Sequence, residues 1–157
     1  MRIVTAADND FPSATEPFEP THGPTLLPWA QWPVLRERWP RGARVGVVLP
    51  NTVDVSHLRS ELHRWSVVAL QFPKWTDGRA YSQARLLRSR LGYAGQIRAT
   101  GEVLVDMLPL LQRSGFDAAL LREDQSVAAA QRALGFFAGH YQGDAHNARP
   151  LFLREAA

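Results

Sequence analysis

Short apolar runs alternate with helix-like segments through most of the chain from residue 43 onward. A short run of apolar, β-branched residues is typical of a buried strand. Strands that alternate with helices predict a parallel sheet with right-handed crossovers, so we assign the chain to the α/β class. The pattern gives four consecutive βα units, and the sheet is either open and doubly wound or a half-barrel. The strands are predicted at "ARVGVVLP", "SVVALQFP", "GQIRATG" and "FDAALL".

A helix is predicted after each strand from the spacing of its apolar residues. Gly92 is expected to end the second helix. Pro109 lies inside the third helix and is expected to kink it or reset its start, because the bond to Val105 is lost. The apolar faces are Val55, Leu58, Leu62 and Trp65 in the first helix, Ala80, Ala84, Leu87 and Leu91 in the second, and Val127, Ala130, Leu134 and Phe137 in the fourth.

Residues 25–142 are predicted to form a single α/β domain, which suits a chain of 157 residues. Residues 1–24 are rich in proline and in acidic and small residues, and they predict an irregular arm with a short strand at 2–6. Residues 143–157 are a weakly patterned tail, for which a short edge strand is considered. Prolines divide the segment before residue 41 into short helical turns, and its tryptophans are expected to pack on the domain or to form an interface. These tryptophans are Trp29, Trp32 and Trp39.

The composition excludes several functional classes. No cysteine is present, which excludes disulfides, thiolate catalysis and cysteine-ligated metal or iron–sulfur sites. The chain has no long apolar span and no signal-peptide pattern, so we expect a cytoplasmic protein without a membrane partner. The net charge is +3, but the basic residues are dispersed, which argues against nucleic acid as a partner. Seventeen of the 18 basic residues are arginine, and Lys74 is the one side-chain amine.

The carboxyl ends of the predicted strands carry polar residues in a mixture of cations, carboxylates and hydroxyls. Ligands of parallel α/β folds bind at these ends, and arginine forks and helix N-termini favour carboxylate, sulfite or phosphate oxygens. We therefore expect this edge to recognise a small anion or an acidic metabolite. The predicted ligand-binding residues are Asn51, Arg79, Arg98, Thr100 and Arg122, and the candidate catalytic residues are Lys74, Asp77 and Tyr81.

Each candidate residue also has a structural interpretation. Asp77 stands where a carboxylate caps the second helix, and Arg79 either pairs with it or remains in solvent. If Lys74 is buried, it can act as a Schiff-base nucleophile or general base; otherwise it binds an anion or remains solvated. Tyr81 is either a proton donor or a packing residue. The remaining arginines of this helix, Arg85, Arg88 and Arg90, are expected on its solvated side.

The sequence predicts no metal site and no cofactor. His57 and Glu61 have a spacing that suits two ligands on a helix, but a zinc site needs a third. The G-x-G-x-x-G and G-x-x-x-x-G-K-[ST] nucleotide motifs are absent, and so is the G-x-S-x-G elbow.

Four stretches resemble a bacterial family of unknown function: "FPKWTDGRAYSQARLLRSRLGY", "IRATGEVLVDML", "RSGFDAALL" and "FFAGHYQ". Its members are described as oxidoreductases of sulfite reduction, because their genes lie beside those for assimilatory sulfite reductase. The resemblance covers residues 27–142 and is most specific from Phe72 to Gly92. It implies signature positions at Lys74, Asp77, Gly78, Arg79, Tyr81, Ser82, Ala84, Arg85, Arg88, Arg98, Asp106, Gly115, Phe116 and Asp117.

The chain departs from this family pattern at two positions. An acidic residue is usual in the family where Gln96 stands, and a cysteine is common where Ser114 stands. A redox role of that cysteine could not be shared by this chain. The residues themselves carry no flavin or nicotinamide fingerprint and no cluster ligand.

Three functions follow as hypotheses. The first is an accessory protein of assimilatory sulfite reduction that partners the sulfite reductase hemoprotein and recognises a small anion. The second is a stand-alone enzyme that uses Lys74, with Asp77 or Tyr81 as its proton-transfer partner, on a carboxylate- or sulfonate-bearing metabolite. The third is a non-catalytic scaffold. Whether the protein is an enzyme, and whether it forms a homo-oligomer, stays open at this stage.

Overall fold

The computed structural model describes residues 1–16, 18–136, 141–145 and 149–150. Its strands are β1 (Arg2–Val4), β2 (Thr25–Pro28), β3 (Val45–Leu49), β4 (Val67–Phe72), β5 (Gln96–Gly101) and β6 (Ala118–Leu120). They form one parallel sheet in the order β1-β6-β5-β4-β3-β2. The predicted α/β class is confirmed, and the sheet is open rather than part of a barrel.

Four α-helices accompany the sheet in the described part of the chain: α1 (Trp32–Leu35), α2 (Arg79–Ser89), α3 (Leu108–Ser114) and α4 (Val127–Gly135). Short 3₁₀ turns lie at Trp29–Gln31, Val55–His57, Leu62–Arg64 and Val105–Met107. In α2, the predicted inward residues Ala80, Ala84 and Leu87 are fully buried. Pro109 occupies the first turn of α3, which begins at Leu108, so it resets the start of the helix as expected.

The prediction of an α-helix after β3 is wrong. The segment forms the two 3₁₀ turns Val55–His57 and Leu62–Arg64, and the Asp54 side chain accepts a hydrogen bond from the Ser56 backbone at 2.9 Å. All four predicted apolar residues of this segment are nevertheless buried. Serine, histidine, aspartate and tryptophan have weak helix propensity, and two short turns bury the same side chains that one helix would bury.

The strand β2 was not predicted from its sequence, which was interpreted as short helical turns. It pairs in parallel with β3 and lies at an edge of the sheet, where Pro28 at its end is tolerated. The N-terminal arm runs along its free side: the Ala14 amide donates to the Leu26 carbonyl at 2.8 Å, and the Leu26 amide donates to the Pro12 carbonyl at 2.9 Å. This pairing covers the edge of the sheet.

The two faces of the sheet are covered by different parts of the chain. Helix α2 packs with Val68, Leu70 and Phe72 of β4 on one face, within the large hydrophobic core. The other face of β4 packs through Val67 and Ala69 against Phe11 of the arm, in a smaller cluster. The arm therefore takes the place that a second layer of helices has in larger α/β folds.

The tryptophans before β3 pack on the domain, as one of the two interpretations expected. Trp32 and Trp39 are buried, and Trp29 is partly buried. The rings of Trp29 and Trp32 meet Trp65 edge to face, with centroids 6.0 and 5.7 Å apart. These contacts join the segment before β3 to the segment before β4.

Helix α4 is capped by Ser126, whose hydroxyl accepts a hydrogen bond from the Ala129 amide at 3.3 Å. Ala130 is buried as predicted, whereas Val127 is exposed. The continuation of this helix through Phe137, the histidines His140 and His146, and the end of the predicted tail lie outside the described residues. Within the described ranges, no helix has the length and apolarity needed to cross a membrane.

Candidate functional site

The loops after strands β3 to β6 emerge at one edge of the sheet, which we call the carboxyl edge. Parallel α/β folds bind their ligands at this edge. Arg98 lies elsewhere, in the middle of β5. The other predicted site residues lie at or near the carboxyl edge: Asn51, Lys74, Asp77, Arg79, Tyr81, Thr100 and Arg122.

Asp77 and Arg79 form a bidentate ion pair at the start of α2. Arg79 donates from Nε to Oδ1 at 3.0 Å and from Nη2 to Oδ2 at 2.6 Å, and its backbone amide donates to Oδ1 at 3.3 Å. The hydrogen bonds from the Arg79 side chain hold the pKa of Asp77 well below its usual range. Asp77 therefore stays ionised, and its carboxylate occupies the position where a helix N-terminus would receive an external anion.

Asn51 is a buried polar residue beside this pair. It is 7% exposed, and its amide helps to lower the pKa of Asp77, yet its Nδ2 atom makes no hydrogen bond of ordinary geometry with any described residue. The loop that carries it is fixed to α2 by Gln83, whose Nε2 donates to the carbonyls of Pro50 at 3.0 Å and Val53 at 2.8 Å. The Asn51 side chain is thus held in place by the packing of α2 against the β3 loop.

Arg122, after β6, is also fully engaged. It donates from Nη1 to Glu102 at 2.6 Å and from Nε and Nη2 to Asp124 at 2.6 and 2.7 Å. The hydrogen bond from Arg122 lowers the pKa of Asp124 to about 2. Both arginine forks of the carboxyl edge therefore bind carboxylates of the chain, so an external anion would have to displace one of them.

Lys74 and Trp75 project from the loop between β4 and α2. Both are exposed, and the Trp75 side chain is 58% exposed. The backbone beneath them is ordered by a turn in which the Asp77 amide donates to the Lys74 carbonyl at 3.0 Å. The exposure of Lys74 removes the burial on which its proposed use as a nucleophile or base depends.

Tyr81 and Thr100 belong to the body of the domain rather than to its surface loops. The Tyr81 ring meets the rings of Phe72 and Phe116 edge to face, with centroids 5.2 and 6.3 Å apart, and burial raises the pKa of its hydroxyl. The Thr100 hydroxyl donates to the Leu70 carbonyl at 3.4 Å. The contacts of Tyr81 are those of a packing residue.

Arg98 is fully buried on the face of the sheet that the arm covers. Its guanidinium donates to Asp10 at 2.6 Å, to Asn9 at 2.7 Å and to Gln96 at 2.7 and 3.0 Å. It also lies 5.7 Å from the centroid of the Phe11 ring. These contacts fasten the arm to β5, and Gln96 is one of the acceptors of Arg98.

Asp10 should make stability depend on pH in the acid range. Burial raises its pKa, but the hydrogen bonds from Arg2 and Arg98 outweigh burial and bring it to about 2, below the ordinary 3.8. Because the folded pKa is the lower one, the stabilisation is complete above about pH 4 and is lost as the pH falls toward 2. Urea unfolding between pH 5 and pH 2 should therefore show a shallower loss of stability in Asp10→Asn than in the wild type. Glu16→Gln, which removes an exposed carboxylate of the same arm, should keep the wild-type slope.

Arg88 was expected on the solvated side of α2, and this expectation is wrong. Its side chain is 13% exposed. It donates to the carbonyls of Gly115 at 3.0 Å and Gly95 at 2.8 Å, and it forms an ion pair with Asp117. The helical spacing alone could not separate it from Arg85, which is exposed. The sequence carried no local signal, because the partners Gly115 and Asp117 lie in a distant segment before β6.

No group of three potential metal ligands occurs in the part of the chain that the structure describes. Glu61, which was considered together with His57, accepts hydrogen bonds from Trp32 Nε1 at 2.8 Å and from Arg36 at 3.0 Å. His57 lies near Asp54 instead, with the nitrogen 3.5 Å from the carboxylate oxygen.

A comparison with protein-family models identifies the chain. The model of a bacterial protein of unknown function, DUF934, matches residues 46–152. The chain belongs to the DUF934 family. The matched range of the DUF934 protein begins inside β3 and includes β4 to β6 and all the loops of the carboxyl edge, whereas the arm and β2 precede it. No curated protein matches the sequence significantly.

Proposed function

We propose that this DUF934 protein is an accessory protein of assimilatory sulfite reduction, which docks on the sulfite reductase hemoprotein through its carboxyl edge. The observation that carries the proposal is the exposed Trp75 beside Lys74, on a loop with an ordered backbone. The choice of partner comes from the resemblance of the segment Phe72–Gly92 to proteins described as acting in sulfite reduction.

The charges of the carboxyl edge support docking better than capture of a small ion. Arg79 and Arg122 are each held by carboxylates of the chain at 2.6 Å. A small anion gains little at such a fork, because binding must break an existing charge-assisted pair. Recognition of a small anion at the carboxyl edge therefore remains a prediction, for the residues Asn51, Arg79, Thr100 and Arg122. Docking on a partner protein does not require an anion to bind there.

An exposed tryptophan is typical of the residues that dominate protein interfaces. Trp is enriched among interface hot spots, and a large aromatic ring gains much from burial against a partner. The loop is anchored on both sides: the Glu102 amide donates to the Phe72 carbonyl at 2.9 Å, and Asp77 is fixed by Arg79. Little conformational entropy would be lost when the tryptophan inserts into a partner.

We expect Trp75→Ala to weaken the complex with sulfite reductase of the same organism by about 30-fold, because a central aromatic hot spot contributes about 2 kcal/mol. Binding would be measured by light scattering on a sizing column and then by calorimetric titration. Val34→Ala, which truncates another exposed apolar side chain, should leave the affinity unchanged. The double variant Lys74→Met, Trp75→Ala should abolish the complex at micromolar concentrations.

Two results would overturn the proposal. One is the absence of any complex between the wild-type protein and the hemoprotein. The other is unimpaired growth on sulfate or sulfite as the sulfur source after deletion of the gene. The sizing column also shows whether the protein self-associates, and a scaffold role predicts that Trp75→Ala changes only that assembly.

A further inference from the structure

A cleft lies at the opposite end of the strands from the carboxyl edge. It has a volume of about 700 Å³ and opens where β3 begins at Val45 and where Ser66 precedes β4. The loop Trp39–Arg44 forms one wall, and the segment from Ser60 to Arg64 forms the other. Gly42, in the first wall, has a φ of +86°, a backbone conformation that only glycine adopts easily.

The acidic residues of this cleft are already paired. Glu61 is bound by Trp32 and Arg36, and Glu37 lies 3.4 Å from Arg36 and 3.9 Å from Arg64. Arg64 also donates to the Arg36 carbonyl and lies 4.9 Å over the Trp32 ring. These contacts neutralise the carboxylates from the side of α1, so they do not compete for the cations of the facing wall.

The arginines of the facing wall have no carboxylate partner among the described residues and can therefore bind an anion. Arg41 and Arg44 are exposed, and neither forms an ion pair with any carboxylate that the structure describes. Arg44 is held in place by its contact with the Phe11 ring, 4.7 Å from the centroid. This arrangement contrasts with the carboxyl edge, where each arginine fork binds a carboxylate of the chain.

The same wall contains an unsatisfied donor. Trp39 is 5% exposed and lines the cleft, and its Nε1 atom has no acceptor among the described residues. The Nε1 atom has almost no solvent-accessible surface, so a ligand in the cleft does not contact it, and the binding of a ligand depends on the arginines of this wall. The guanidinium groups of Arg41 and Arg44 are both donors that line the cleft, and they suit a ligand that brings oxygen acceptors with negative charge.

We propose that this cleft binds a metabolite that carries a phosphate or sulfate ester, with Arg41 and Arg44 holding its oxyanion. A volume of about 700 Å³ is that of a small-molecule site rather than of a single inorganic ion. The polar wall favours a charged ligand over an apolar one. The site is separate from the docking loop at Trp75, so this proposal does not depend on the proposed function.

The test uses tryptophan fluorescence, since Trp32 and Trp39 both line the cleft. The full chain is titrated with adenosine 5′-diphosphate, inorganic pyrophosphate and sulfate, and the affinities are confirmed by calorimetry. We expect saturable binding of the diphosphate compounds, weaker binding of sulfate, and a loss of at least tenfold in affinity in Arg41→Gln, because a charge-assisted hydrogen bond contributes about that factor. The double variant Arg41→Gln, Arg44→Gln should show no saturable signal.

The matched control is Arg85→Gln with Arg132→Gln, which removes two exposed charges that do not line the cleft and gives the same net charge. The control should bind like the wild type. An equal loss of affinity in the control would mean that the ligands are attracted non-specifically to a basic protein, and it would overturn the proposal. Absence of saturable binding of every probe up to about 10 mM, a Kd range beyond any specific metabolite site, would overturn it as well. Urea midpoints of all variants separate loss of binding from loss of folding.

Discussion

Replacement of Arg88 by alanine should lower the free energy of unfolding by about 3 kcal/mol or more. The guanidinium joins three parts of the chain: α2, the turn with Tyr93 and Gly95, and the loop with Gly115 and Asp117. Its removal leaves several carbonyls and the Asp117 carboxylate without their donor in a partly buried place. The Asp117 carboxylate also accepts from the Ile97 amide at 2.7 Å, so the start of β5 is disturbed with it.

The packing around Arg88 is specific for this side chain. Gly115 has a φ of +101°, and a Cβ atom added there would lie 2.7 Å from the Arg88 Cγ atom, so the glycine leaves the space that the arginine fills. Lysine cannot reproduce a fork that reaches three carbonyls and a carboxylate, and Arg88→Lys should therefore recover less than half of the loss. Arg85→Ala, on the exposed side of the same helix, should change stability by less than about 0.5 kcal/mol. Urea unfolding measures all three variants. Equal stability of Arg88→Ala and Arg85→Ala would contradict the role assigned to Arg88.

Replacement of Asp10 by alanine should cost about 2 to 4 kcal/mol of unfolding free energy, measured at pH 7 by urea denaturation. Arg98 has no exposed surface, and Asp10 is its carboxylate partner at 2.6 Å. Without Asp10, a buried guanidinium keeps only the neutral oxygens of Asn9 and Gln96. An uncompensated buried charge is among the most destabilising changes a single substitution can make.

A second variant distinguishes the effect of the uncompensated Arg98 charge from the effect of losing the hydrogen bonds that attach the arm. Arg98→Met removes the charge and keeps an unbranched side chain, so it should cost less than Asp10→Ala, since Asp10 retains Arg2 at 2.8 Å. The combination of both substitutions should be little worse than Asp10→Ala alone, because the two residues act as one pair. Glu16→Ala is the neutral control within the arm. If Arg98→Met proved more damaging than Asp10→Ala, hydrogen bonding of the arm rather than charge compensation would dominate.

The regular part of the fold was predictable because its strands are buried on both faces. Continuous apolar runs predicted β3 to β6 and their parallel direction, and the spacing of Ala80, Ala84 and Leu87 predicted the inward face of α2. The strand β2 was missed because prolines surround it and because its pairing with β3 is decided by tertiary contacts. The segment after β3 was misassigned because the same apolar spacing also fits two 3₁₀ turns.

The loops at the carboxyl edge could be predicted from the sequence, but the ion pairs between their side chains could not. The carboxyl ends of parallel strands identified the loops that hold Lys74, Asp77 and Arg79. The expectation that Asp77 caps α2 is wrong, because the N-cap is Gly78, although Asp77 does accept the backbone amide of Arg79. The sequence could not reveal that Arg79 and Arg122 are bound by nearby carboxylates, because pairing depends on loop conformation. Arg98 and Arg88 were assigned to surfaces because charged residues are rarely buried, and only their partners in distant segments explain the exceptions.

The position of β1 has a consequence for the order in which the chain can fold. Arg2 pairs with Ala118, so β1 needs a neighbouring strand that lies 116 residues later in the sequence. Contacts between residues so far apart in sequence close large loops and slow folding. The central strands β3, β4 and β5 pair with neighbours close in sequence and can assemble first. The arm with Phe11 and Asp10 would then fold over the sheet as a late step, and a nascent chain that ends before β6 would leave that face of the sheet uncovered.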